Sequence, residues 1–167
     1  MPITAAVLTI SDSTHRGERE DLSGPALITL LQQKGFTVVS RDVSPDEQGR
    51  ISATLIQMSE MAQFVVTTGG TGLSPRDVTP EATAAVCERQ VPGIAELTRA
   101  EGLKQTKFAP LSRAICGTRG KSLILNLPGN PKGAVESLSA VLHLVSHAID
   151  LLNGKTVHEK IPGISLS

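Results

Sequence analysis

Short apolar runs alternate along this chain with longer stretches whose apolar residues recur every three or four positions. Ile3 to Ile10, Thr37 to Val43, Gln63 to Thr68 and Ser122 to Leu127 are short and bounded by polar or glycine-containing turns, which predicts buried strands. Arg113 to Cys116 reads as a further strand, joined to Ser122 by Gly117-Thr118-Arg119-Gly120. Ser23-Gly24-Pro25 opens a helix through Leu27, Ile28, Leu30 and Leu31, with Gly35 as its stop. Ser44-Pro45-Asp46-Glu47 carries a helix-start signature, Ser44 being the N-cap, and Ile51, Leu55 and Met58 continue it at helical spacing. Thr79-Pro80-Glu81 caps a helix running to about Arg89. Ile94, Leu97 and Leu103 predict one or two short helices between Pro92 and Phe108. The longest stripe carries Val135, Leu138, Val145 and Leu152, and Gly154 ends it.

Such alternation of strand and helix predicts an α/β fold: three layers, a mainly parallel sheet and helices on both faces. We expect a single domain over residues 1–154 and a surface tail over 155–167. Ligands of such folds collect beyond the carboxyl ends of the strands. Four loops leave those ends here, starting at Ser11, Ser44, Gly69 and Pro128, and one site built from all four is the economical expectation.

Composition narrows the partners. Lys+Arg and Asp+Glu balance at 16 each, so no net field would draw nucleic acid or an anionic membrane. Three Phe and no Trp or Tyr leave few stacking platforms for single-stranded nucleic acid. Cys87 and Cys116 lack metal or redox spacing and read as reduced, buried thiols. No continuous apolar run approaches a membrane span of about 18 residues, and the N-terminus has no signal-peptide pattern, so a cytoplasmic location is expected.

The most informative stretch is Thr67-Thr68-Gly69-Gly70-Thr71-Gly72, followed by Arg76-Asp77-Val78-Thr79-Pro80-Glu81-Ala82. A strand, a glycine turn and a helix start in that order can aim backbone N–H groups at a phosphate. A tight strand exit would use the same glycines. Asp77 would repel a phosphate unless a cation lay between them, although an acid near a helix start is also ordinary. Asp46 is equally open to either reading. Gly117 to Ser122 resembles the end of a Walker P-loop but lacks its first glycine and precedes a strand, and Gly70-Thr71-Gly72 lacks the third dinucleotide glycine at Pro75. His143 and His147 share a helix face but have no third ligand, which favours a solvated surface. Arg113, Arg119 and Lys132 are candidate phosphate partners.

Ser11-Asp12-Ser13, Asp21-Leu22-Ser23-Gly24-Pro25, Pro45-Asp46-Glu47, the glycine turn with its Arg76-to-Ala82 continuation, Leu111-Ser112-Arg113 and Leu127-Pro128-Gly129-Asn130-Pro131-Lys132 occur in one order. Together they resemble the molybdopterin adenylyltransferases of molybdenum-cofactor biosynthesis and the related gephyrin G domains, from Val7 to about Leu152. The resemblance implies transfer of AMP from ATP to the terminal phosphate of molybdopterin, with release of pyrophosphate and a requirement for Mg2+. It implies Asp46 and Asp77 as the essential acids and metal holders. It places Thr68, Gly69, Gly70, Thr71, Gly72, Ser112 and Arg113 on the molybdopterin side. Ser11, Asp12, Ser13, Pro128, Gly129, Asn130 and Lys132 fall on the nucleotide side. A homotrimer and a hand-off to a molybdenum-inserting enzyme are further implications. A non-catalytic molybdopterin-binding or scaffold protein of the same fold is the alternative, and the retained acid pair favours the enzyme.

Overall fold

Period-two burial in the strands decides how the layers form. In strand β1 (Thr4–Ile10) Ala5 and Val7 face one side while Ala6, Leu8 and Ile10 face the other, and all are buried. Strands β3 (Phe64–Thr68) and β6 (Ser122–Leu127) repeat the pattern, with Phe64, Val66, Leu123 and Leu125 on the first face and Val65 and Ile124 on the second. A sheet apolar on both sides must be covered on both sides. The computed structural model, which describes residues 1–155, shows this. The tail expected from residue 155 lies, apart from Lys155 itself, outside the described residues.

Helix α2 (Ser23–Gln33) and helix α6 (Pro131–Leu152) cover the first face, joined there by Ile94 of helix α5 (Pro92–Leu103). Helix α3 (Gln48–Met61) and helix α4 (Thr79–Val86) cover the second through Ile51, Leu55, Ala82 and Val86. The remaining elements are a four-residue helix α1 (Asp12–His15), strand β2 (Thr37–Ser44), strand β4 (Arg89–Gln90), strand β5 (Cys116–Arg119) and a 3-10 turn at Ala109–Leu111. The sheet order is β2-β1-β3-β6-β5-β4. β2, β1, β3 and β6 are mutually parallel, and β5 and β4 add antiparallel pairs at one edge. Three-layer α/β architecture with a mainly parallel sheet is therefore as expected.

α6 is by length and mean hydropathy long enough to cross a bilayer. Its Leu138, Val141, Val145 and Ile149 are nevertheless buried in the first core, while His143, Ser146 and His147 are exposed, so it packs as an amphipathic core helix. The two histidines indeed lie on the solvated face.

Three local expectations are corrected. Ser44 does not cap a helix: it is the last residue of β2, pairs with Ile10, and donates its hydroxyl to the Pro45 carbonyl at 2.9 Å. Continued pairing with β1 outweighs the local capping signature, α3 starts only at Gln48, and Asp46 is left on an exit loop. The strand expected at Arg113 starts at Cys116 instead and includes the supposed connector, with Arg119 opposite Ser122 across a turn at Gly120 and Lys121. α4 ends at Val86, because Arg89 and Gln90 leave to pair with β5.

Candidate functional site

All four parallel strands end on the same edge of the sheet, and their exit loops converge there. β1 lies between β2 and β3, and its neighbours are reached through helices on opposite faces, so the crevice between β1 and β3 is a topological switch point. A cavity of about 440 Å³ opens at that place. Ser11 comes from the first loop, Asp46 from the second, Thr68, Gly69, Gly70 and Asp77 from the third, and Gly129 and Asn130 from the fourth.

The glycine turn must be glycine. Gly69 has φ +103° and a Cβ there would strike the Ile10 carbonyl; Gly70 has φ +70° and a Cβ would strike Thr79 Oγ1. Backbone therefore passes against backbone between β1 and β3. The Gly69 N–H donates to Leu127 O at 3.1 Å and its carbonyl accepts from Thr79 Oγ1 at 2.9 Å. Thr68 Oγ1 donates to Pro128 O at 2.7 Å, tying this turn to the fourth loop. An anion would be left with amides from Gly70 onward.

Asp46 and Asp12 hold each other. The Asp12 N–H donates to Asp46 Oδ2 and the Asp46 N–H donates to Asp12 Oδ1, both at 2.9 Å. Asp12 also receives Arg76 Nε at 3.0 Å and Nη2 at 2.8 Å. That guanidinium keeps the Asp12 carboxyl below the usual carboxylate range. Asp46 is pushed the other way, first by burial and then by the charges of Asp12 and Asp77, against the opposing hydrogen bond from the Asp12 amide. Asp77 Oδ2 accepts from the Ser74 N–H at 3.2 Å.

Several expected residues have other places. Arg113 is spent on the protein: Nε donates to Gly72 O and Nη2 to Asp77 O, each at 2.8 Å, and Nη1 pairs with Glu81. Its own N–H donates to Thr71 O at 2.8 Å. It is a clamp on the loop that carries Asp77. Thr71 is buried beneath that clamp. Arg119 lies at the opposite end of β6 and donates to Val86 O. Asp12 is held by Arg76, and Ser11 Oγ caps α1 by accepting from the Thr14 N–H, with Ser13 Oγ 3.2 Å away. Ser112 and Lys132 line a second cavity of about 390 Å³ between α5 and α6, which shares Asn130 with the first and is also lined by Pro128.

Arg19 lines the first cavity, and among its described lining residues it is the one basic side chain. Sequence reasoning missed it, because an arginine in a charged loop carries no pattern. Cys87 and Cys116 are raised by burial to about 11 and about 12 and line neither cavity. As protonated thiols they stand outside the chemistry.

A glycine turn at a switch point, with Asp46 and Asp77 lining the same cavity, defines an α/β protein with its ligand site at the carboxyl edge of the sheet. The comparisons with known proteins specify it. Residues 6–147 match the family model described as probable molybdopterin binding domain. The chain is 43% identical to the molybdopterin adenylyltransferase of Helicobacter pylori over 164 residues, covering 95% of this chain and 93% of that one. It is 42% identical to the Escherichia coli molybdopterin adenylyltransferase over 140 residues, covering 81% and 71% respectively. Among solved structures, the molybdopterin biosynthesis enzyme MoaB of Thermus thermophilus superposes with a TM-score of 0.86 at 47% identity, covering 92% of this chain and 98% of that one. This chain belongs to the molybdopterin-binding family of molybdenum-cofactor biosynthesis.

Proposed function

We propose that this chain is a molybdopterin adenylyltransferase. A terminal phosphate oxygen of molybdopterin attacks the α-phosphorus of ATP, a new P–O bond forms, and the α–β bridging bond breaks so that pyrophosphate leaves with the electron pair. The nucleophile belongs to the substrate, so the protein contributes position and charge. The observation that carries the reading is the meeting of Asp46, Asp77 and the Gly69-Gly70 turn in one cavity.

Asp46 and Asp77 would hold Mg2+. The donor set fits: burial and neighbouring negative charge raise Asp46, a conflict a cation relieves. Mg2+ characteristically takes one or two carboxylates and completes its shell with phosphate oxygens and water. When bound, the ion neutralises the combined charge of two phosphorylated reactants. Arg19 lies along the same cavity as a further counter-charge, and Arg113 and Asp12 hold the two acid-bearing loops in register. We assign the first cavity to the triphosphate. A homotrimer and delivery of product to a molybdenum-inserting enzyme complete the reading and rest on the family resemblance; a cytoplasmic location is proposed with them.

Incubation with Mg2+, ATP and molybdopterin should yield adenylylated molybdopterin and pyrophosphate. Asp77→Asn should lower turnover by at least about a hundredfold, the scale for losing one charged group that acts in the transition state, with molybdopterin binding largely kept. Full activity in that variant would refute the carboxylate model. Binding of molybdopterin by the wild type without any AMP conjugate would instead leave a scaffold.

A further inference from the structure

Asp46 and Asp77 reach the first cavity on the exit loops of β2 and β3, strands that are not neighbours in the sheet. Direct pairing of those strands therefore cannot set the gap between the two carboxylates. β1 lies between them, and its exit loop carries Asp12. Arg76, the residue before Asp77, grips Asp12 with two prongs, Nε to Oδ2 at 3.0 Å and Nη2 to Oδ1 at 2.8 Å. Asp12 in turn holds Asp46 through the two reciprocal bonds at 2.9 Å. The chain Asp77–Arg76–Asp12–Asp46 thus crosses three loops, through contacts between residues 64 and 34 positions apart. Asp46 Oδ2 is taken by the Asp12 N–H and Asp77 Oδ2 by the Ser74 N–H, so Oδ1 of each acid stands outside these bonds. Asp46 Oδ1 lies against the glycine turn, where a Cβ on Gly70 would come within 3.2 Å of it. The Arg76 side chain is 60% exposed. Exposed ion pairs usually add little to stability, and forked arginine–carboxylate pairs within a network are the exception.

We propose that Arg76 is a positioning residue for the acid pair: by clasping Asp12 it ties the Asp77 loop to the Asp46 loop and sets the gap that a divalent cation must bridge. This rests on the reading of Asp46 and Asp77 as the Mg2+ holders. Partners that orient ligating carboxylates from outside govern metal affinity nearly as strongly as the ligands themselves. Arg76 plays this part against its own charge. A cation beside a cation site repels the occupant, so by charge alone loss of Arg76 would tighten metal binding. Positioning requires the reverse, because an unfastened pair of acids loses order that binding must then restore. The sign of the change separates the two roles.

The test titrates nucleotide-free protein with Mn2+, a spectroscopic stand-in for Mg2+, and reads the unbound ion by its EPR signal. Arg76→Ala should weaken Mn2+ binding about 10- to 100-fold, the usual loss when a partner of a metal ligand is removed. Arg76→Lys restores the charge without the fork, so it should stay weakened, and it keeps the test alive if Arg76→Ala misfolds. Asp12→Asn breaks the same clasp from the other side. Combined with Arg76→Ala it should bind Mn2+ no worse than the weaker single variant, because both changes cut one chain of contacts. Binding at wild-type strength or tighter in Arg76→Ala, wild-type binding in Arg76→Lys, or losses that add in the double variant would each overturn the proposal. Failure of the underlying reading looks different: wild-type protein that takes up no Mn2+ at millimolar concentration would remove the acid pair as a metal site, and the role of Arg76 with it.

Discussion

Asp46 is held at a cost to the metal-free fold. Burial, then the charges of Asp12 and Asp77, raise its pKa above the unfolded value, so the folded state holds more protons than the unfolded one. Stability from this group therefore falls as pH rises from the unfolded value through the raised folded value, and at neutral pH its ionised form destabilises. Asp46→Asn should raise the metal-free Tm at pH 7, with the gap closing under acid conditions, and Mg2+ should raise the Tm of the wild type more than that of the variant. Thermal melts across pH with and without MgCl2 decide it; a lower metal-free Tm at pH 7 in the variant would contradict the argument. Asp12 has the opposite sign: its pairing with Arg76 stabilises above the usual carboxylate range and is lost as pH falls through its lowered value. At this scale the sequence showed Asp46 and Asp77 as acids in the right loops. It could not show that Arg113 grips carbonyls of residues 72 and 77, since those partners are about forty positions away and carry no side-chain signal.

Elements with strong periodicity formed where their patterns placed them. α2, α6 and the four parallel strands need only an apolar face and a stop signal, and both are local. Errors fell where two local signals competed and a distant partner decided. Ser44-Pro45-Asp46-Glu47 has good capping chemistry, yet pairing of Ser44 with Ile10 kept it in β2. A buried polar knot does comparable work on the second face of the sheet. Asn126 of β6 donates to Thr67 Oγ1 at 3.1 Å and Thr83 Oγ1 at 2.9 Å, and accepts from the Ile115 N–H at 3.2 Å. It binds β3, α4 and the entry to β5 at one point. Asn126→Ala should cost roughly 1–3 kcal/mol, the price of stranding buried polar groups, and more if the cavity cannot relax. Urea unfolding of the variant measures this, and a loss below about 0.5 kcal/mol, the range of an ordinary surface change, would show that the knot is slack.

At the scale of the molecule, function depends on four chain segments that the sheet order brings to one edge. The first spans residues 9 to 23 and the others surround Asp46, Gly69 to Asp77 and Gly129 to Pro131. Addition of Mg-ATP should slow amide hydrogen exchange in all four together, while the hairpin turn at Gly120 and Lys121, at the far end of the sheet, stays unchanged. Protection confined to one segment would argue against a single shared site. By itself the sequence determined the layers and the glycine turn, because apolar period and φ requirements are properties of residues and near neighbours. Tertiary structure alone decided that Asp46 leaves α3 for an exit loop, that Arg113 clamps the loop carrying Asp77, and that Ser112 and Lys132 belong to a second cavity. Each of those outcomes is set by which strand lies beside which, and pairing across tens of residues leaves no mark in the local pattern.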